Sequence, residues 1–128
     1  CPLADASVDG VISSFGLKTF DPDQLDQLAR ETARVLKPGG RVAMLEISVP
    51  PIALLRWPYL LYIGGVVPLL GRLMLGNPDH YRLLGVYTRA FVNCNRAIEA
   101  LRKAGLIVEP WSFFFGCATG LVAHRPAS

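Results

Sequence analysis

Two short clusters hold the residue types able to do chemistry: Ser13-Ser14-Phe15-Gly16-Leu17-Lys18 and Glu46-Ile47-Ser48. Each follows an apolar run of strand character, and in open α/β sheets ligands sit outside the carboxyl ends of the strands. One rim would then carry hydroxyls, a cation, a carboxylate and a glycine that admits close backbone approach. Such a set can hold a polar substrate group, or order water beneath one. Plainer readings stand beside it: Ser14 finishing a strand against local backbone, Gly16 as a turn residue, Lys18 solvated, Glu46 capping a neighbouring backbone. Metal chemistry is not indicated. Cys1, Cys94 and Cys117 are widely spaced, with no Cys-x-x-Cys, and neither His80 nor His124 stands at ligand spacing. The cysteines read as reduced thiols of an intracellular protein, two of them packed as small hydrophobes, and His124 as a structural strand residue.

The rim needs strands to build it. Residues 8–15 read as a strand. Asp21, Pro22 and Gln24 form a helix start with a capping box. Leu25, Leu28, Ala29, Val35 and Leu36 give that helix an apolar stripe to about Lys37. Pro38 then blocks continuation, and Gly39 or Gly40 supplies the positive φ of a helix end. Residues 41–47 follow as a strand covered on both faces. Residues 51–76 read as mixed helix broken by Pro58, Gly64-Gly65, Pro68 and Gly71, and a further helix runs from Pro78 to about Phe91. Asn93 or Asn95 caps a helix striped by Cys94, Ala97, Ile98 and Leu101 and ended by Gly105. Residues 109–115 and 121–125 can close a hairpin across Gly116 to Gly120. These elements divide into a βαβ unit (1–48), a helical cap (49–92) and a terminal helix with hairpin (93–128).

Composition fits one small domain of 128 residues, 52% hydrophobic, with a net charge of +3. The basic residues are scattered without interleaved aromatics, which excludes a nucleic-acid footprint, while a weak attraction to an anionic membrane surface is compatible. No charged segment precedes an apolar stretch at the start, so a cytoplasmic location with peripheral membrane contact is expected. The stretch from Pro50 to Leu70 is very apolar, but Arg56, Pro58, the glycine pair and Pro68 interrupt the roughly 20 residues that a spanning helix needs.

Longer motifs sharpen the picture. Residues 34–46 (Arg-Val-Leu-Lys-Pro-Gly-Gly-Arg-Val-Ala-Met-Leu-Glu) resemble the corresponding stretch of S-adenosylmethionine-dependent methyltransferases. Residues 2–18 resemble the LPFxDxSFDxVxxSFGLRN run of the ubiquinone/menaquinone biosynthesis C-methyltransferase family. Glu46-Ile47-Ser48-Val49-Pro50 is similar to its EFSKP, Tyr81-Arg82-Leu83-Leu84 to its SYxYL, and residues 119–125 to its TGGIVALHRG. The resemblance implies an α/β fold, the C-terminal half of a Rossmann-like class I methyltransferase sheet. Parallel strands would end in a terminal antiparallel hairpin, with a helical cap inserted after residue 48.

The resemblance also implies roles. Ser14, Phe15 and Gly16 would contact S-adenosylmethionine. Lys18 and Glu46 would be the catalytic pair, with the cation stabilising a phenolate or positioning a water as base. Lys18-Thr19 stands where the family usually has Arg-Asn, and lysine lacks arginine's bidentate fork. Trp57, Tyr62, Tyr81 and Arg82 would line the site of a lipophilic quinone precursor. No Gly-x-Gly loop and no acid closing a second strand occur, which in this fold hold the cofactor. The expectation is therefore a truncated methyltransferase, inactive alone and weak or absent in cofactor binding. Its alternatives are a non-catalytic interaction or dimerisation module, or a methyltransferase of the same fold with another acceptor. The strand at residues 8–15 carries neither Pro nor Lys to blunt its edge, so a homodimer is expected.

Overall fold

A computed structural model describes residues 2–75 and 79–127, with side chains for all of these except Leu75, Asp79, His80 and Tyr81. The chain begins with strand β1 (Val8–Ser14) and a 3-10 turn at Leu17–Thr19. Helix α1 (Pro22–Val35) starts as its sequence dictates. Asp21 Oδ1 accepts from the Gln24 amide at 2.8 Å, and the Asp21 amide donates to Gln24 Oε1 at 3.0 Å. The helix stops at Val35, two residues before the expected Lys37, because Leu36 is already extended at φ −74, ψ 129. Lys37 precedes Pro38, whose ring disfavours helical geometry in the residue before it. Arg125 then caps the stop, donating through Nη1 to Ala33 O (3.0 Å) and Leu36 O (2.6 Å).

Strand β2 (Leu36–Ile47) lies parallel to β1, with an irregularity where Leu36 opposes Val8 and Arg41 opposes Gly10. Gly39, at φ +76, makes that detour possible. Strands β3 (Ile107–Phe113) and β4 (Ala118–His124) form the terminal hairpin, and the sheet order is β1-β2-β4-β3, with β4 antiparallel to both neighbours. The hairpin is displaced from the expected 109–115 and 121–125. Its turn is the 3-10 segment Phe114–Gly116, in which Phe114 and Phe115 take φ 50 and 57. Gly116 (φ +90) fits under Pro51, whose Cδ would stand 2.5 Å from an added Cβ. Gly120 belongs inside β4, where a Cβ would meet Met44 O at 2.7 Å.

One face of the sheet is covered by α1 and by α5 (Asn95–Lys103), whose buried stripe is Ala97, Ile98, Ala100 and Leu101. With Leu25, Ala29, Leu36, Val42, Met44 and Leu121 these make the core. The cap position of α5 is Cys94 rather than an asparagine. Asn93 Oδ1 instead accepts from the Asn95 amide at 3.0 Å. The opposite face carries Ile12, Trp111, Phe113 and Val122 in the open, with Ile12 86% exposed.

Between β2 and α5 most of the described residues are helical. Helix α2 (Ala53–Leu61) runs through a π-helical turn (Tyr62–Val66) into α3 (Val67–Leu75), and α4 (Asp79–Phe91) follows. The expected breaks do not interrupt the rod. The irregularity gathers instead in the π turn at Gly64-Gly65, just ahead of Pro68, where a wider turn accommodates a residue without an N–H. By length and composition alone, the 22 residues Ala53–Met74 (hydropathy 1.4) are long and apolar enough to cross a membrane, and only 11% of an 18-residue window within them is buried. α4 crosses the rod at the glycines, with Gly64 Cα 3.4 Å from where a Gly85 Cβ would stand. The start expected at Pro78 lies outside the described residues.

Candidate active site

Ser14 opposes Leu45 in the parallel β1–β2 ladder, so the carboxyl ends of both strands open at one edge. Beyond Ser14 the chain leaves the sheet. Phe15 holds φ 60 while its amide still donates to Leu45 O at 2.9 Å. That left-handed geometry costs a residue with a side chain about 1–2 kcal/mol. It starts a tight turn, closed by Thr19 Oγ1 donating to Gly16 O at 2.7 Å, that swings Lys18 over the end of β2.

There Lys18 meets Glu46, which has no exposed surface. Lys18 Nζ stands 3.0 Å from Glu46 Oε1, and the Lys18 side chain is only 9% exposed. The carboxylate also accepts from two backbone amides, Lys18 N to Oε2 at 3.1 Å and Ile47 N to Oε1 at 2.9 Å. Lys18 Nζ donates further to Phe15 O at 2.5 Å and lies 5.9 Å from the Phe15 ring centroid, within reach of a cation–π contact. An ammonium has three N–H donors, so one is left without a partner among the described residues. The arrangement is a cation held by two acceptors, with one N–H unpaired among the described residues.

A second network borders Glu46. Thr119 lies opposite it in the β2–β4 ladder. Thr119 Oγ1 shares a short hydrogen bond with Ser48 Oγ and accepts from the Cys94 amide at 3.2 Å, and Cys94 Sγ donates to Thr119 O at 3.3 Å. Burial pushes the Cys94 thiol up, the Thr119 hydrogen bond opposes this, and the Glu46 charge adds to the rise. A thiol so placed stays protonated and is not a nucleophile. Tyr59 donates from its hydroxyl to Cys117 O at 3.0 Å, tying α2 to the hairpin, and burial raises its phenol to about 12.

Lys18, Glu46 and Phe15 are thus brought together. Ser14, at the exposed end of β1, lines a cleft of about 410 Å³ on the open sheet face with Ile12, Leu45, Trp111 and Phe113. A cleft of about 510 Å³ lies among Val49, Arg56, Asn93, Cys94, Trp111 and Thr119. Neither is walled by Lys18 or Glu46. Trp57 (73% exposed) and Tyr62 (53% exposed) point outward from the rod. Arg82 is exposed on α4, which packs against the Lys18 turn, and the Tyr81 side chain lies outside the described residues. Buried Thr88 on α4 has no hydrogen-bond partner for its hydroxyl among the described residues. Thr119, Cys94 and Tyr59 were not legible as site residues, since an isolated threonine or cysteine in an apolar strand or helix start carries no spacing signal. Among the described residues no three His, Cys, Asp or Glu side chains gather as metal ligands.

A nucleoside-bearing methyl donor needs an acid for its ribose and a glycine loop for close approach. At this edge the carboxylate is Glu46, already spent on Lys18 and two amides, and Ser14, Phe15 and Gly16 form a single wall.

The sheet order and its antiparallel last strand define a Rossmann-like class I methyltransferase fold. S-adenosylmethionine-dependent methyltransferase SibL superposes with a TM-score of 0.58 over 97% of this chain and 33% of its own, at 17% identity. The chain belongs to the ubiE/COQ5 methyltransferase family, whose model matches residues 1–125. Demethylmenaquinone methyltransferase of Halalkalibacterium halodurans is 38% identical over 114 residues, covering 87% of this chain and 46% of that protein. Ubiquinone/menaquinone biosynthesis C-methyltransferase UbiE of Paracoccus denitrificans is 36% identical over 112 residues, covering 86% and 43%. The chain therefore spans less than half the length of these curated relatives.

Proposed function

We propose that this chain forms the acceptor side of an S-adenosylmethionine-dependent C-methyltransferase acting on a lipophilic quinol, a quinone precursor. The observation that carries the reading is the clamped Lys18 ammonium at the carboxyl edge of the sheet, with one N–H unpaired among the described residues. A quinol oxygen that has given up its proton to water is held on that N–H as phenolate, the form whose ring carbon is nucleophilic. Glu46 keeps the ammonium aimed, so the cation does not have to reorganise as charge develops. Ser14, Phe15 and Gly16 are the cofactor contacts of this reading, and Trp57, Tyr62, Tyr81 and Arg82 its acceptor-binding residues. The relatives named for demethylmenaquinone and for ubiquinone/menaquinone biosynthesis support the acceptor class.

Titration calorimetry of the chain under reducing conditions tests this. A short-chain naphthoquinol is expected to bind in the micromolar range, about −8 kcal/mol. S-adenosylmethionine is expected to bind no tighter than about 100 μM, because few convergent polar groups are present for it. Low-micromolar binding of S-adenosylmethionine, or no binding of the quinol, contradicts the reading.

The bare edge of β1 favours a second role, that of a dimerisation module. β1 ends the sheet order, and Ile12 stands open beside unpaired backbone groups, a template for pairing with a second copy. Light scattering at micromolar concentration should read about twice the 14.0 kDa of one chain. A stable monomer removes this role.

A further inference from the structure

We infer that the α2–α3 rod and the β3–β4 turn form one docking surface for an anionic lipid bilayer, lying in its interface rather than crossing it. The inference goes beyond the proposed function and does not rest on it. Leu54, Trp57, Leu61, Leu69 and Leu73 recur along the rod at helical spacing, 55–85% exposed. The turn adds Phe114 (80% exposed) and Phe115 (77% exposed), both held in left-handed geometry that presents their rings outward at a conformational cost. The two parts are fixed to one another, since Gly116 packs under Pro51 and Tyr59 bonds Cys117 O.

Charge selects the occupant. Between Glu46 and Asp79 the sequence holds two charged residues, Arg56 and Arg72, and no acid. Arg82 and Arg89 are exposed on α4 beside the rod. An apolar surface with aromatic residues and arginines only matches the headgroup region of an anionic leaflet, where rings and guanidinium groups sit at the boundary. The same geometry argues against spanning. Arg89 Nη2 lies 3.2 Å from where a Cβ on Gly64 would stand, which puts a cation against the middle of the rod. A charge at the bilayer centre is strongly disfavoured.

Vesicle flotation of the whole chain decides the matter. Binding is expected to phosphatidylcholine vesicles containing phosphatidylglycerol, to be several-fold weaker to phosphatidylcholine alone, and to weaken in high salt. Trp57→Ser with Phe114→Ser should abolish flotation while the circular dichroism stays unchanged. Arg72→Gln should weaken anionic binding about fivefold. Equal binding to neutral and anionic vesicles, or no binding at all, overturns the proposal. So does recovery from vesicles only with detergent, which would mean a spanning rod, or a homodimer that buries Trp57 and no longer floats.

Discussion

Glu46→Gln is expected to lower the free energy of unfolding by about 3–5 kcal/mol, the usual consequence of leaving one charge of a buried pair alone. Lys18 is 9% exposed and Glu46 has no exposed surface, so water cannot take over the lost partner. The glutamine also turns an N–H₂ toward amide donors that now meet a carboxylate, Lys18 N or Ile47 N. Lys18→Met leaves a buried carboxylate with two amide donors and should cost a similar amount. The double change Lys18→Met, Glu46→Leu should cost clearly less than the sum, since replacing both charges with apolar groups can be close to neutral. Urea unfolding reads this as a shift of midpoint at constant slope. Losses below about 1 kcal/mol for both single changes would match a solvent-screened pair instead.

The second large effect lies in the core. Leu101→Ala is expected to cost about 2–5 kcal/mol. Leu101 is 2% exposed in α5, where Ala97 and Ala29 already bring α5 and α1 close, so little can collapse into the space left. Leu73→Ala on the rod, where the side chain is 75% exposed, should stay within about 0.5 kcal/mol. Similar losses at both positions would mean that the rod is part of the folded core, contrary to its exposure.

Local chemistry was legible in the chain. The Asp21–Gln24 capping box and the stop of α1 ahead of Pro38 follow from side chains within a few residues of where they act, whereas Gly39, read as part of a helix end, turns inside β2, which starts at Leu36 rather than at residue 41. What was not legible depends on neighbours distant in sequence. The rod passes Pro58, the glycine pair and Pro68 because a single π turn absorbs the mismatch, and no helix propensity reports that. The hairpin slid by a few residues because Gly116 fits under Pro51 and Gly120 against Met44 O, both contacts across the fold. Lys18 and Glu46 could be assigned to one rim from the sequence, but their direct pairing over 28 residues depends on the left-handed turn at Phe15. Trp57 and Tyr62 suit a greasy acceptor by residue type, but residue type does not fix direction, and their exposure on the rod could not be read from the sequence.

Receipt of the acceptor oxygen as an anion by Lys18, held by Glu46, is the core of the proposed function. It is tested most directly by the ionisation of a bound naphthol, followed by absorbance as pH is varied. An opposite charge in contact lowers the pKa of such a group by about 1–3 units. The account predicts a drop of that size for the naphthol bound to the unaltered chain, and no drop for naphthol bound to Lys18→Met. An unchanged naphthol pKa in the unaltered chain, or the same drop in both proteins, would contradict it.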